Sequence, residues 1–174
     1  MTSLPAPHLH LCRQSVVTAT ARAHISDVCV ALGVDSTNKS HADWLDDVLV
    51  AASELVTNAL THTTGEIAMH WWIEGRMLTL AVVDTHFVEL VWVRGEGAVP
   101  VDNENGRGLG IVAGLADTLT YGPMGADGRD GKWVAAGFTL PDTLLRSQNR
   151  RRAERNRPVW GRKRQTSAHK GSSS

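Results

Sequence analysis

Ser53-Glu54-Leu55-Val56-Thr57-Asn58-Ala59 sets a carboxylate and a carboxamide one helical turn apart inside a run that otherwise reads as buried helix. Polar groups in such a run need a reason, because burying them is unfavourable unless a partner satisfies them. A Glu and an Asn at this spacing can share one ligand, the carboxamide oxygen binding a hard cation such as Mg²⁺ while the carboxylate takes a proton or orients a water. Around the pair, Leu45, Val48, Leu49, Ala52, Leu55, Val56, Ala59 and Leu60 fall on one broad arc at the helical period. Asp47, Glu54, Asn58 and Thr61 cluster on the opposite side, so the pattern predicts a helix over 42–61 with a narrow polar ridge.

Outward from this helix the order of elements is legible. An Ala/Val-rich helix is predicted over 16–32, stopped by Gly33. After the central helix, 66–73 and 77–83 flank Glu74-Gly75-Arg76 as a hairpin whose second strand, nearly all apolar, ends on Asp84. Residues 85–105, with Gly95, Gly97 and Pro100, have no clean period and read as a loop or lid. A short helix over 109–116 follows, then strands over 118–121 and 132–140 around a glycine-rich connection, with Pro141 closing the sheet.

Composition bounds the problem. A chain of 174 residues, 42% hydrophobic, supports one globular domain with a core of its own. Cys12 and Cys29 are too few for a disulfide scaffold or a zinc site, and with no signal-like segment and no apolar run of membrane-spanning length the expected location is the cytoplasm. The zero net charge hides an asymmetry: residues 1–145 hold 8 Lys/Arg against 17 Asp/Glu, and 146–174 hold 10 against the single Glu154. The expected organisation is a flexible leader over 1–14, a domain over 15–144 and a basic, disordered tail over 145–174. A solvated tail is preferred to one that contacts nucleic acid.

The second chemical feature is Gly106-Arg107-Gly108-Leu109-Gly110-Ile111-Val112, a glycine-rich helix start where backbone N–H groups and the helix dipole can approach phosphates. It is not a dinucleotide-binding fingerprint, because Asp102-Asn103-Glu104-Asn105 precedes it instead of a hydrophobic strand. Gly131-Lys132 is not a P-loop either, since Ala126 and Trp133 stand where that motif needs Gly and Ser or Thr.

An acid and an Asn on a helix, a strand ending in Asp, a lid and a glycine-rich helix start, in that order, resemble the histidine-kinase-like ATPase superfamily that includes Hsp90 and gyrase B. Within it, the chain is similar to the small anti-sigma-factor serine/threonine kinases of actinobacterial type. Ser53-Glu54-Leu55-Val56-Thr57-Asn58-Ala59 and Gly106-Arg107-Gly108-Leu109 carry the resemblance, with Leu115-Ala116-Asp117 and Gly131-Lys132-Trp133-Val134-Ala135, over about 16–140. It implies an α/β fold of the α+β two-layer sandwich type, a mixed, largely antiparallel sheet covered on one face by helices, with ATP and Mg²⁺ as cofactors. By resemblance Glu54 is the general base, Asn58 the Mg²⁺ ligand and Asp84 the acceptor for the adenine amino group. Gly106, Arg107, Gly108, Leu109 and Gly110 form the phosphate cradle, and Lys132 joins the cofactor-binding set.

Two functions of different class follow. The first is an ATP-dependent protein serine/threonine kinase that phosphorylates an anti-sigma-antagonist protein and so controls a sigma factor, with a homodimer as a plausible assembly. The second is a non-catalytic module that binds a sigma factor or other regulator with weak or no nucleotide binding. Asp84-Thr85-His86-Phe87-Val88 lacks the glycines that follow the family's Asp, which speaks for the second. His62 reads as a helix-terminal or pocket-rim residue rather than a catalytic one. Trp44, Trp71, Trp72 and Trp133 read as core or sheet-face residues, and Trp92 as a lid residue that could meet a partner.

Overall fold

In the computed structural model, the structure describes residues 7–11, 16–85, 107–124 and 131–144, with Arg107 and Thr143 described by backbone alone. The elements follow in the order β1 (His8–Leu11), α1 (Val17–Leu32), α2 (Lys39–His62), β2 (Ile67–Glu74), β3 (Met77–Asp84), α3 (Arg107–Leu115), β4 (Thr118–Pro123) and β5 (Lys132–Thr139). A single 3₁₀ turn, Asp142–Leu144, closes the described chain.

Helix α1 buries Ala21, Ile25, Val28, Cys29 and Leu32, a stripe at helical spacing. It ends where Gly33 turns left-handed at φ 97°, and the N–H groups of Gly33 and Val34 close onto the carbonyls of Val30 and Cys29. That pattern satisfies the last carbonyls of the helix and is open to glycine without a Cβ penalty. Burial pushes the Cys29 thiol up to about 12, so this cysteine is a packing residue, not a reactive one.

Helix α2 begins three residues before the expected start, at Lys39 rather than Ala42. The reason is a cap: the Asn38 side chain accepts from the backbone N–H groups of Ser40 and His41 at 3.0 and 3.4 Å. Its buried residues Val48, Ala51, Ala52, Leu55, Val56 and Ala59 join the main core between the helices and the sheet, and small Ala at three of these positions allows close packing.

The sheet runs β1-β2-β3-β5-β4, and every described pairing is antiparallel. Alternation sends Ile67, Met69, Trp71, Ile73, Leu78, Leu80, Val82, Val134, Ala136 and Phe138 into one core with the helices. The two-layer α+β sandwich is therefore as expected. On the opposite face Trp72, Ala81 and Ala135 form a second, smaller cluster with Trp133 against it. The expected leader over 1–14 needs correction, because residues 8–11 are the edge strand β1, paired with β2 from His8↔His70 to Leu11↔Ile67. Leu11 is buried in the main core, which gives this short strand its anchor. The basic tail over 145–174, Trp92, His86 and the body of the expected lid lie outside the described residues. Among the described residues, no helix is long and apolar enough to cross a membrane.

Candidate functional site

Helix α2 supplies the centre of the site. Its core-facing residues Leu55, Val56 and Ala59 are buried, and this packing leaves Glu54 and Asn58 half-buried along the helix flank. One residue before Glu54, Ser53 Oγ donates to the Leu49 carbonyl at 2.8 Å. Arg22 of α1 reaches across to the same place, its guanidinium donating to the Leu49 carbonyl at 3.3 Å and to Ser53 Oγ at 3.1 Å. Arg22 thus ties α1 to α2 beside the candidate base. Sequence reasoning missed it, because the contact joins residues 31 positions apart and a lone Arg on a helix carries no local signal.

Helix α3 is brought onto this flank by burying Leu109 and Val112. Its first turn then meets α2 directly: a Cβ on Gly108 would lie 2.5 Å from Glu54 Oε2. The absence of a side chain at 108 is what lets the carboxylate sit against the helix start, where backbone N–H groups without helical partners concentrate positive potential. Gly110 is half-buried in the same turn, and Arg107 opens the helix. Gly106 lies outside the described residues.

The other end of the site is at the sheet. Asp84 ends β3 and Lys132 begins β5, and the two face each other in the ladder. Both project to the helix-covered face, in phase with Leu80 and Val82 on one strand and Val134 and Ala136 on the other. Lys132 Nζ lies 2.8 Å from Asp84 Oδ2, and each side chain is only 3% exposed. The two residues therefore act as one unit, a buried ion pair at the base of the site.

Two glycines hold the backbone here. Gly131, at φ 118°, comes so close to the Asp84 carbonyl and the Thr85 backbone that no Cβ fits, and Gly65 is equally tight against the Thr85 side chain. Gly65 itself is set by the end of α2, where Thr63 N–H bonds the Ala59 carbonyl and Thr63 Oγ1 accepts from Gly65 N–H. The available signals were a Thr-x-Gly after a helix and an isolated glycine before a strand. His62 forms the last residue of α2, half-buried beside this junction.

Among the described residues, no group of three or more His, Cys, Asp or Glu could hold a metal ion. A side-chain cage of the zinc or calcium kind is not built there. A single carboxamide oxygen such as that of Asn58 fits Mg²⁺, which takes one or two protein oxygens and completes its shell with phosphates and water.

The site thus lies in a helical layer over an antiparallel sheet, with a carboxylate set against a glycine-rich helix start and a buried Asp at the end of β3. The family model for the histidine kinase-like ATPase domain matches residues 1–134, and the chain belongs to that family. Membership implies ATP binding. A search among curated proteins finds no match.

Proposed function

We propose that the chain is a regulatory protein serine/threonine kinase of the anti-sigma-factor type, which binds Mg-ATP and phosphorylates an anti-sigma-antagonist protein. The observation that carries this reading is the Glu54 carboxylate lying against the first turn of α3 at Gly108, with Asn58 one turn along α2. A base at the phosphate end of a nucleotide site is what phosphoryl transfer to a hydroxyl needs, and the remaining requirement is positioning.

In this mechanism the N–H groups at the start of α3 hold the phosphates, and Asn58 offers its carboxamide oxygen to the cation. Mg²⁺, when bound, neutralises phosphate charge. Glu54 accepts the proton of the incoming Ser or Thr hydroxyl as its oxygen bonds the γ-phosphorus. The bond from that phosphorus to the β–γ bridging oxygen breaks, and ADP leaves. Asp84 holds the base at the far end. A homodimer, a cytoplasmic location and a sigma factor as the regulated partner belong to the same proposal.

The test uses the full chain with Mg-ATP and a panel of purified anti-sigma-antagonist proteins. Glu54→Ala is expected to lower phosphotransfer by about a hundredfold or more while leaving ATP binding largely intact, and Asn58→Ala to weaken Mg-ATP binding itself. Tight ATP binding with no phosphate transferred to any acceptor would make the protein a nucleotide-dependent binding switch instead of a kinase.

A further inference from the structure

We infer that Lys132 reads the nucleobase together with Asp84, and that the pair selects a 6-aminopurine through both its ring nitrogen N1 and its exocyclic amino group. This rests on the nucleotide site proposed above and assigns its base end.

Position argues first. Glu54 marks the phosphate end through its contact with Gly108. Thr85, the residue after Asp84, packs its side chain on Gly65, beyond the last residue of α2. From Glu54 to His62 that helix rises about 12 Å, so the two ends are separated by most of the length of a nucleotide. Lys132 stands at the Asp84 end, its ammonium 2.8 Å from the carboxylate. To serve the phosphates it would have to leave a buried partner, which is strongly unfavourable for both charges.

Hydrogen-bond chemistry argues next. The six-membered ring of adenine carries an acceptor, N1, directly beside a donor, the 6-amino group. A carboxylate alone satisfies only the amino group. A carboxylate with an ammonium beside it presents acceptor and donor in the matching order, so Asp84 accepts from the amino N–H while Lys132 donates to N1. Guanine in the same orientation sets its O6 against the carboxylate and its N1–H against the ammonium, like against like at both positions. With both side chains 3% exposed, these contacts are made away from water, where matched bonds count for more and mismatches are costlier. Contacts that the pair makes within the protein are exchanged for those of the base, so its effect is read as a ratio of affinities between nucleotides.

The experiment measures equilibrium binding of ATP, 1-deaza-ATP and GTP to the full chain. 1-Deaza-ATP keeps the amino group and replaces N1 with C–H. The expected result is about tenfold or greater weakening for 1-deaza-ATP and a larger loss for GTP, as for a bond to a charged donor. In Lys132→Met the penalty for 1-deaza-ATP disappears. Because that variant leaves a carboxylate without its buried cation, Asp84→Asn/Lys132→Met serves as the second: it carries no buried charge, keeps an oxygen acceptor for the amino group, and is expected to bind ATP and 1-deaza-ATP equally. Equal binding of the two nucleotides by wild type, or an unchanged penalty in both variants, overturns the role of Lys132 and leaves the kinase reading standing. Wild type that binds no ATP at all overturns both.

Discussion

The Glu54 carboxylate and Gly108 share one space: Oε2 occupies the position that a side chain at 108 would take, 2.5 Å from where its Cβ would stand. The atom in the way is the far end of a flexible side chain, so Gly108→Ala is relieved by moving the carboxylate rather than the helices. Alanine also favours the helix by about 1 kcal/mol over glycine. Stability should therefore stay within about 1 kcal/mol of wild type while, on the proposed kinase function, phosphotransfer falls about tenfold or more, since a general base at Glu54 would need to keep hydrogen-bond reach. Gly114→Ala is the control, because nothing lies within 4 Å of its Cβ position. It should gain stability and leave the proposed phosphotransfer unchanged; a Gly108→Ala variant with full phosphotransfer would show that the position of Glu54 is not limiting.

The Asp84–Lys132 pair predicts non-additive stability. Lys132→Met strands a carboxylate on the core face, at a cost of about 3–5 kcal/mol in urea unfolding. Asp84→Leu/Lys132→Met removes both charges and fills the row with apolar groups, and should unfold at a urea midpoint close to or above wild type. If the double variant is as unstable as the sum of the two single ones, the residues do not act as a pair.

Much of this was legible beforehand where the signals are local. The stripe through Val48, Leu55 and Ala59 fixed α2 and with it the flank carrying Glu54 and Asn58, and Gly33 fixed the end of α1. The start of α2 was misplaced because Asn38 acts through its side chain on the backbone ahead, a cap that apolar periodicity does not record. Strand β1 was missed for a different reason: four residues reading His-Leu-His-Leu hold strand geometry only through pairing with β2, far along the chain. The ion pair was beyond reach altogether. It depends on β5 lying between β3 and β4 and on a register that sets Lys132 opposite Asp84, a fact of the whole sheet.

The left-handed glycines separate backbone freedom from close packing. Gly75 (φ 62°) is the first residue of the two-residue turn between Glu74 and Met77, with nothing within 4 Å of its Cβ position. Gly131 (φ 118°) presses on the Asp84 and Thr85 backbone. Gly75→Ala meets the positive φ with open space around its Cβ, so it should cost about 1–2 kcal/mol through backbone strain alone. Gly131→Ala carries the conformational strain and a clash with main chain that cannot swing away, so its loss should exceed about 3 kcal/mol and ATP affinity should fall with the displacement of Asp84. Comparable unfolding midpoints for the two variants would refute the close approach at Gly131.

The edge of the sheet predicts a pH dependence. His70 on β2 lies opposite His8, with ring centroids 6.1 Å apart, and His8 lies 5.6 Å from His10. Burial lowers the His70 pKa, and the charges of His8 and His10 lower it further. The unfolded chain thus takes up a proton at this residue near pH 6.5 while the folded chain holds off to lower pH. The sign follows from linkage: this contribution to stability is complete above about pH 6.5, and it is lost as the pH falls through that value and on through the lowered folded pKa. Urea midpoints should therefore drop between about pH 7.5 and pH 5, and His70→Gln should reduce the drop by removing the group that titrates differently in the two states. Because β1 is held to the sheet at this row, amide exchange of Leu9 and Leu11 should speed up over the same interval in wild type and less so in the variant. Parallel pH profiles for the two proteins would assign the acid sensitivity to other groups.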